Sequence, residues 1–438
     1  MMLGDDIFVF ATILVFGIWL VAIGRLGFLL LIAFGSLNTL IGLVGLAELN
    51  GDAPDYIAIF VACNLAIFAG YVLAGRRRKP VEAIEVASDG VPRRLTRGIT
   101  AAVVLAGGLA VYHLLAAGIP LFASDIEVAR FDFTSSGLLG IPGRMYLFGV
   151  AISCCMASAA ATIHGVRWRD YMPWRIAFAL LLAISILGGL KSGIVGLATT
   201  LIVISVVMTG RQMYIHTAIA RYWWVAAAGL AYGAAVAASY VTYQRMGGSF
   251  LGSIFDRLTV IGAEPKRIAL LGEVAVPTGG VVSDFLYFLT KYTGGDVSGR
   301  YTLERAVSAK IIGVDPASNA WTTPVTVGAI PEVVLFFGPI LAIVLCVLIG
   351  LAMRQFTKIA ASGFWRMSSI GVAALMFFTW MSRGGLAYYV TNYAIVTLLL
   401  FGTCYAVYLF SSDLEQRFRK LHSKPAKSRN DVDLGAAR

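Results

Sequence analysis

The sequence predicts an all-α, polytopic transmembrane helical bundle of about eleven helices, with a large helical loop on its outer face. Three observations predict it. The mean hydropathy is +0.80, with 58% hydrophobic and only 13% charged residues, whereas a soluble chain is about 45–50% apolar and roughly 25% charged. Apolar runs of the ~20 residues needed to cross a bilayer recur along nearly all of the 438 residues. The basic residues between these runs all fall on one side when the runs are threaded in order.

The predicted spans are roughly 7–24, 27–48, 55–75, 98–118, 144–163, 175–190, 192–209, 223–242, 325–353, 367–382 and 385–410. Helices are required because lipid offers no partner to a free backbone amide or carbonyl. The first run follows Asp5 and Asp6 and lacks a basic flank, so a cleaved signal peptide is not expected. Residues 1–411 form one membrane domain that includes the segment 243–323, and 412–438 form a basic cytoplasmic tail.

Orientation follows from the loops. Arg76, Arg77, Arg78, Lys79, Arg93, Arg94 and Arg97 follow the third span, and Arg167, Arg169 and Arg175 follow the fifth. Arg211 and Arg221 follow the seventh, and Arg354, Lys358 and Arg366 the ninth. The tail adds Arg417, Arg419, Lys420, Lys424, Lys427 and Arg429. With this side cytoplasmic, the N-terminus and segment 243–323 lie outside a bacterial-type inner membrane. The net charge of +11 is then a topology signal with attraction to anionic lipid. No folded basic module suggests a nucleic-acid partner.

Several cations break this pattern by lying at the outer level. Arg130 and Arg144 flank the start of the fifth span, and Lys191 occupies the turn Gly188-Gly-Leu-Lys-Ser-Gly193. Arg245 leaves the eighth span in Tyr243-Gln-Arg-Met-Gly-Gly248, and Arg383 occupies Ser382-Arg-Gly-Gly385. Snorkelling to headgroups, or pairing with Asp125, Glu127, Asp132 or Asp256, explains any one of them. Their recurrence at one level suits a shared anionic ligand, since glycine lets backbone amides approach closely and Arg matches phosphate oxygens bidentately.

The outer segment 243–323 is balanced, with eight Lys or Arg and seven Asp or Glu. Phe250, Leu251, Ile254, Phe255, Leu258 and Ile261 recur at helical spacing, with Asp256, Arg257 and Glu264 elsewhere, as in an interfacial helix. Leu286, Tyr287, Phe288, Tyr292 and Tyr301 provide surface for sugar stacking or for anchoring at headgroup depth. Cys63, Cys154, Cys155, Cys346 and Cys404 all fall inside predicted spans without metal-ligand spacing, so they read as buried thiols. His113, in the fourth span, is either a proton acceptor or a satisfied core residue. No P-loop, zinc-protease motif or nucleophile elbow is present.

The layout resembles the O-antigen and exopolysaccharide repeat-unit polymerases. The resemblance rests on Arg130-Phe-Asp-Phe-Thr-Ser-Ser-Gly137 with Gly140 and Arg144, on Lys191-Ser192, and on Asn319-Ala-Trp-Thr-Thr-Pro324 leading to Phe337-Gly338-Pro339. It implies transfer of a polyprenyl-diphosphate-linked glycan onto a second lipid-linked repeat unit, with no cofactor or metal. The same lipid-linked glycan serves as donor and acceptor, and a chain-length regulator or a flippase is the expected protein partner. Arg130, Arg245 and Arg383 would stabilise the departing diphosphate, with Arg144, Lys191, Arg257, Tyr243 and Tyr292 binding substrate nearby. Glu264, Glu273 and Asp284 stand as equal candidates for the base that deprotonates the acceptor hydroxyl. The related O-antigen ligases use a loop histidine, which 243–323 lacks. A lipid-linked oligosaccharide flippase or other secondary transporter, a ligase-like transferase and an assembly scaffold are the competing readings.

Overall fold

The computed structural model describes residues 28–51, 55–75, 90–123, 140–188, 262–317, 325–362, 364–381 and 384–422, with a few single positions between 201 and 235. The described residues are helical, without strands. In chain order the helices are α1 (Phe28–Asn50), α2 (Asp55–Leu73), α3 (Arg93–Ala117) and α4, which runs from Ile141 to Ile163. There follow α5 (Met172–Leu187), α6 (Gly262–Leu271), α7 (Gly280–Tyr292) and α8 (Leu303–Ile312). The last are α9 (Ala329–Ala360), α10 (Trp365–Met381) and α11 (Leu386–His422).

Five stretches are long and apolar enough to cross a membrane: Asp55–Leu73, Arg93–Phe122, Ile141–Ile163, Ala329–Ala360 and Leu386–Ser411. The predicted runs at 27–48, 55–75, 98–118, 144–163, 175–190, 325–353, 367–382 and 385–410 each coincide with a helix. The run 7–24 and nearly all of 192–209 and 223–242 lie outside the described residues, as does the interfacial helix expected from Phe250 to Ile261.

Helix directions follow from the contacts. Helices α2 and α9 are parallel and touch backbone to backbone. A Cβ on Gly70 would overlap the Val347 carbonyl, and one on Gly350 would overlap the Ile67 carbonyl. Further along the same pair, Lys358 Nζ donates to Ala74 O at 2.8 Å. Arg354 Nη1 donates to Tyr71 Oη at 3.2 Å. Helix α11 runs antiparallel to α3, where a Cβ on Gly98 would lie 2.6 Å from Cys404 O. Arg366, at the start of α10, covers the rings of Tyr405 and Tyr408 near the far end of α11. One end of the assembly therefore collects Arg93, Arg94, Arg97, Arg354, Lys358 and Arg366. The other carries α6, α7 and α8, where α2, α4, α9 and α11 begin and α3, α5 and α10 finish.

Two of these helices are irregular. Gly338 has φ 75° and ψ 165°, so α9 is two helices joined at a break rather than the single span 325–353 expected from its apolar run. Pro339 is the cause: it lacks an amide hydrogen and disfavours helical ψ in the residue before it, and only glycine takes that φ readily. Helix α4 contains a π-turn over Met145–Gly149, just past Arg144. Such turns insert one extra residue and re-aim neighbouring side chains. The five cysteines are buried and unbridged.

Candidate functional site

Two buried acids, Asp284 and Glu332, and a half-buried one, Glu304, meet where α7 and α8 close on the beginnings of α9 and α11. Asp284 on α7 is 4% exposed and accepts hydrogen bonds from Leu303 N, 3.1 Å to Oδ2 and 3.3 Å to Oδ1. This bond, with the Thr302 hydroxyl accepting from Arg305 N at 3.3 Å, satisfies the first turn of α8. Glu304 stands on that turn, and its Oε1 accepts from Gly385 N at 2.7 Å. Glu332, on the short first half of α9, accepts through Oε2 from Leu386 N. The opening amides of α11, which have no intrahelical acceptor, are thus held by two carboxylates from two other helices.

The sequence favours this local arrangement. A Cβ on Gly385 would lie 3.4 Å from both Glu304 Oε1 and Glu332 Oε2, so the two acids converge on one stretch of backbone. Gly384 is pressed against the Tyr389 ring, where a side chain would collide. Glu332 lies within electrostatic range of Glu304 and Asp284. It is 1% exposed, and its Oε1 has no hydrogen-bond partner among the described residues. A buried polar atom in that condition costs about 1–3 kcal/mol.

Burial dominates the proton affinities. It pushes Asp284 up to about 6 against the lowering effect of the Leu303 amide. Glu304 is pushed up to about 7, by burial first and the nearby Asp284 charge further, against the Gly385 amide. Part of the Glu304 residue surface is open to solvent, but its carboxyl group is enclosed. A carboxyl that gains and loses a proton near neutrality suits general acid–base work.

A second polar centre lies about two turns further along α11. Arg144, 4% exposed, donates from Nε to Asn392 Oδ1 at 2.6 Å. Asn392 Nδ2 in turn donates to Tyr388 O at 2.6 Å. His113 abuts Gly143, its Cε1 3.2 Å from where a Cβ would stand, and its ring centroid is 5.7 Å from that of Tyr146. Packed rings surround this stretch of α11. Phe148 is 6.5 Å from Tyr388 and 5.8 Å from Tyr389, and Phe288 is 5.4 Å from Tyr388.

The residues expected from sequence divide as follows. Asp284 joins the acid cluster, and Arg144 is buried beside α11. Glu264 lies apart and bonds Arg267 Nη1 at 3.2 Å. Glu273 flanks the same guanidinium at 3.9 Å. Tyr287 and Phe288 are buried against Ala387 and Tyr388, not presented as an open stacking surface. Arg130, Lys191, Tyr243, Arg245, Arg257 and Arg383 lie outside the described residues, as does the side chain of Tyr292. Glu304 and Glu332 were not nominated from sequence. For Glu332 a signal existed, an acid one residue past Pro331 inside an apolar run, since ionisable groups in such runs are costly and usually functional. Among the described residues, no group of three or more His, Cys, Asp or Glu could hold a metal ion.

Comparison of the chain with protein-family models, curated proteins and solved structures finds no match.

Proposed function

We propose that this protein is an integral membrane glycosyltransferase. It joins polyprenyl-diphosphate-linked oligosaccharide repeat units into a surface polysaccharide at the outer face of the inner membrane. The observation that carries the reading is the enclosed Glu304 carboxyl, raised to about 7 and held on the α11 turn beside Glu332. The reading takes the basic end of the helices as the cytoplasmic face, with the acids at the opposite, outer face.

In the proposed reaction an acceptor hydroxyl oxygen attacks the anomeric carbon of the donor. Its proton passes to the Glu304 carboxylate, and the bond to diphosphate breaks with the electron pair leaving on the diphosphate oxygen. The charge developing there needs cations, and preorganised donors of this kind contribute several kcal/mol. Arg383 immediately precedes the Gly384–Gly385 turn in sequence, and Arg130 and Arg245 complete the proposed set. The experiment is reconstitution in liposomes with a lipid-diphosphate-linked repeat unit, read as a glycan ladder. A ladder that shortens to one unit with Glu304→Gln supports the transfer, and a full ladder from that variant refutes it.

One observation favours a second reading, proton-coupled transport of a lipid-linked oligosaccharide. Helix α9 is discontinuous at Gly338-Pro339 and carries buried Glu332 on its short half, and broken helices bearing ionisable groups line transporter sites. Accumulation of precursor in the cytoplasmic leaflet of a strain lacking the protein would identify transport.

A further inference from the structure

Helix α7 is apolar on two opposite faces. Toward the protein it turns Asp284, Tyr287 and Phe288, all buried. On the other side Val282, Leu286 and Leu289 are 63%, 50% and 46% exposed. Steps of four and three residues put these side chains in one row along the helix. No charge interrupts the row, and Lys291, exposed on the last turn, lies just past its end.

A helix with apolar side chains on both faces is not built for water on either. Its inner face sets its level, since Tyr287 and Phe288 pack on Ala387 and Tyr388. Those two residues open the stretch Leu386–Ser411, which is long and apolar enough to cross a membrane. With 13 residues, α7 is about 20 Å long, too short for a hydrocarbon core of about 30 Å. Gly279 at φ 97° and Gly294 at φ 76° turn the chain at its two ends. The helix therefore stands at the boundary of the spanning stretches, at the end away from Arg354, Lys358 and Arg366. Apolar side chains are equally bare along α9 and α11, Ile340, Leu348 and Leu398 among them. One apolar solvent shared by all three helices accounts for this better than a dedicated protein partner for α7. Lys291 adds a cation where headgroup phosphates would lie, and its alkyl stem can rest on apolar surface.

We propose that α7 inserts its Val282, Leu286 and Leu289 face among the lipid chains at the membrane boundary, with Lys291 at the headgroup phosphates. Asp284 leaves the opposite face of the same helix, so this contact holds the acid cluster at headgroup level, where the polar end of a lipid-borne molecule can reach it. The contact is a property of the fold and does not rest on the transfer reaction proposed above.

The test uses the full-length protein in liposomes of phosphatidylethanolamine and phosphatidylglycerol. A spin label is placed in turn on Val282→Cys, Leu286→Cys and Leu289→Cys, the five native cysteines being buried. Ser298→Cys, on the exposed segment after α7, is the reference in water. Relaxation by oxygen, which concentrates in hydrocarbon, is compared with relaxation by a water-soluble nickel chelate. At the three positions of the row oxygen should dominate about tenfold, at a depth of about 5–10 Å below the phosphates. At Ser298 nickel should dominate. The substitutions are at exposed positions, and where one variant fails to fold the other two decide. Nickel dominance along the row would put this face in water, and low access to both reagents would put it against protein, a second copy or a partner. Either result overturns the proposal.

Discussion

Glu304 Oε1 and Gly385 N, 81 positions apart in sequence, are joined by a 2.7 Å hydrogen bond that ties the loop helix α8 to the first turn of α11. Because this bond uses the ionised carboxylate as acceptor while burial disfavours that same ion, Glu304 sits poised between its two protonation states.

The first prediction concerns pH and rate. If Glu304 accepts the acceptor's proton, polymer formation by the reconstituted protein should rise with pH through about 7, where the carboxyl ionises. Glu304→Gln should lower the rate at least a hundredfold, a size typical of losing a general base, with normal membrane abundance. A rate independent of pH between 5.5 and 8.5 would exclude this role.

Stability should move the opposite way. Glu304 and Asp284 have folded-state values raised above their ordinary 4.5 and 3.8, to about 7 and about 6. Between the ordinary and raised values the folded protein binds more protons than the unfolded chain, so stability falls as pH rises through that window. Thermal unfolding in detergent should therefore occur at a higher temperature at pH 5.5 than at pH 8. Glu304→Gln should flatten part of that slope.

Packing makes a third prediction at the α2–α9 contact. Gly70→Ala and Gly350→Ala each place a methyl group into a backbone carbonyl of the facing helix. Overpacking of this kind costs about 1–3 kcal/mol, and the two sites share one contact, so the double variant should not show the sum. Thermal unfolding of the single and double variants measures both effects. By contrast, Gly108→Ala meets open space in the interior of α3 and should stabilise by about 0.5–1 kcal/mol.

Arg144 and Asn392 supply a fourth. Arg144→Leu leaves Asn392 Oδ1 without its 2.6 Å donor, a loss of about 1–3 kcal/mol for a buried acceptor. In a double-mutant cycle with Asn392→Leu, the pair should show a coupling energy of about 1 kcal/mol or more. Additive effects would mean that the hydrogen bond contributes nothing of its own.

The fifth is topological. Ser298 is exposed on the segment between α7 and α8. With the native cysteines buried, a cysteine at Ser298 should react with an impermeant thiol reagent applied to intact spheroplasts, and one at Ser423 should not. The reverse pattern would place the acid cluster in the cytoplasm and remove the proposed chemistry.

Helix positions were legible because apolar runs such as 55–75 and 98–118 carry their own signal, and burial in lipid or protein demands the same residues. The break in α9 was half visible: Gly338-Pro339 stood in the sequence, but an unbroken apolar run hid it. Within 243–323, Asp284 could be nominated, yet it could not be ranked above Glu264 and Glu273. What separates them is partnership, since Arg267 neutralises the latter two while Asp284 faces Glu304 and Glu332. Glu332 and Glu304 meet only through the fold, because spacing along the chain says nothing of which helix starts will face one another.

The two glycine contacts between α2 and α9 have a mechanical consequence. They seat the long half of α9, beyond Pro339, on α2 with glycine against backbone carbonyl, which leaves no room there for a larger residue. Residues 329–337, which bear Glu332, meet that half across the break at Gly338, and Val333 and Val334 pack into the same apolar core. The Glu332 carboxyl is thereby held from two sides, by that core and by the α11 turn whose amide it accepts.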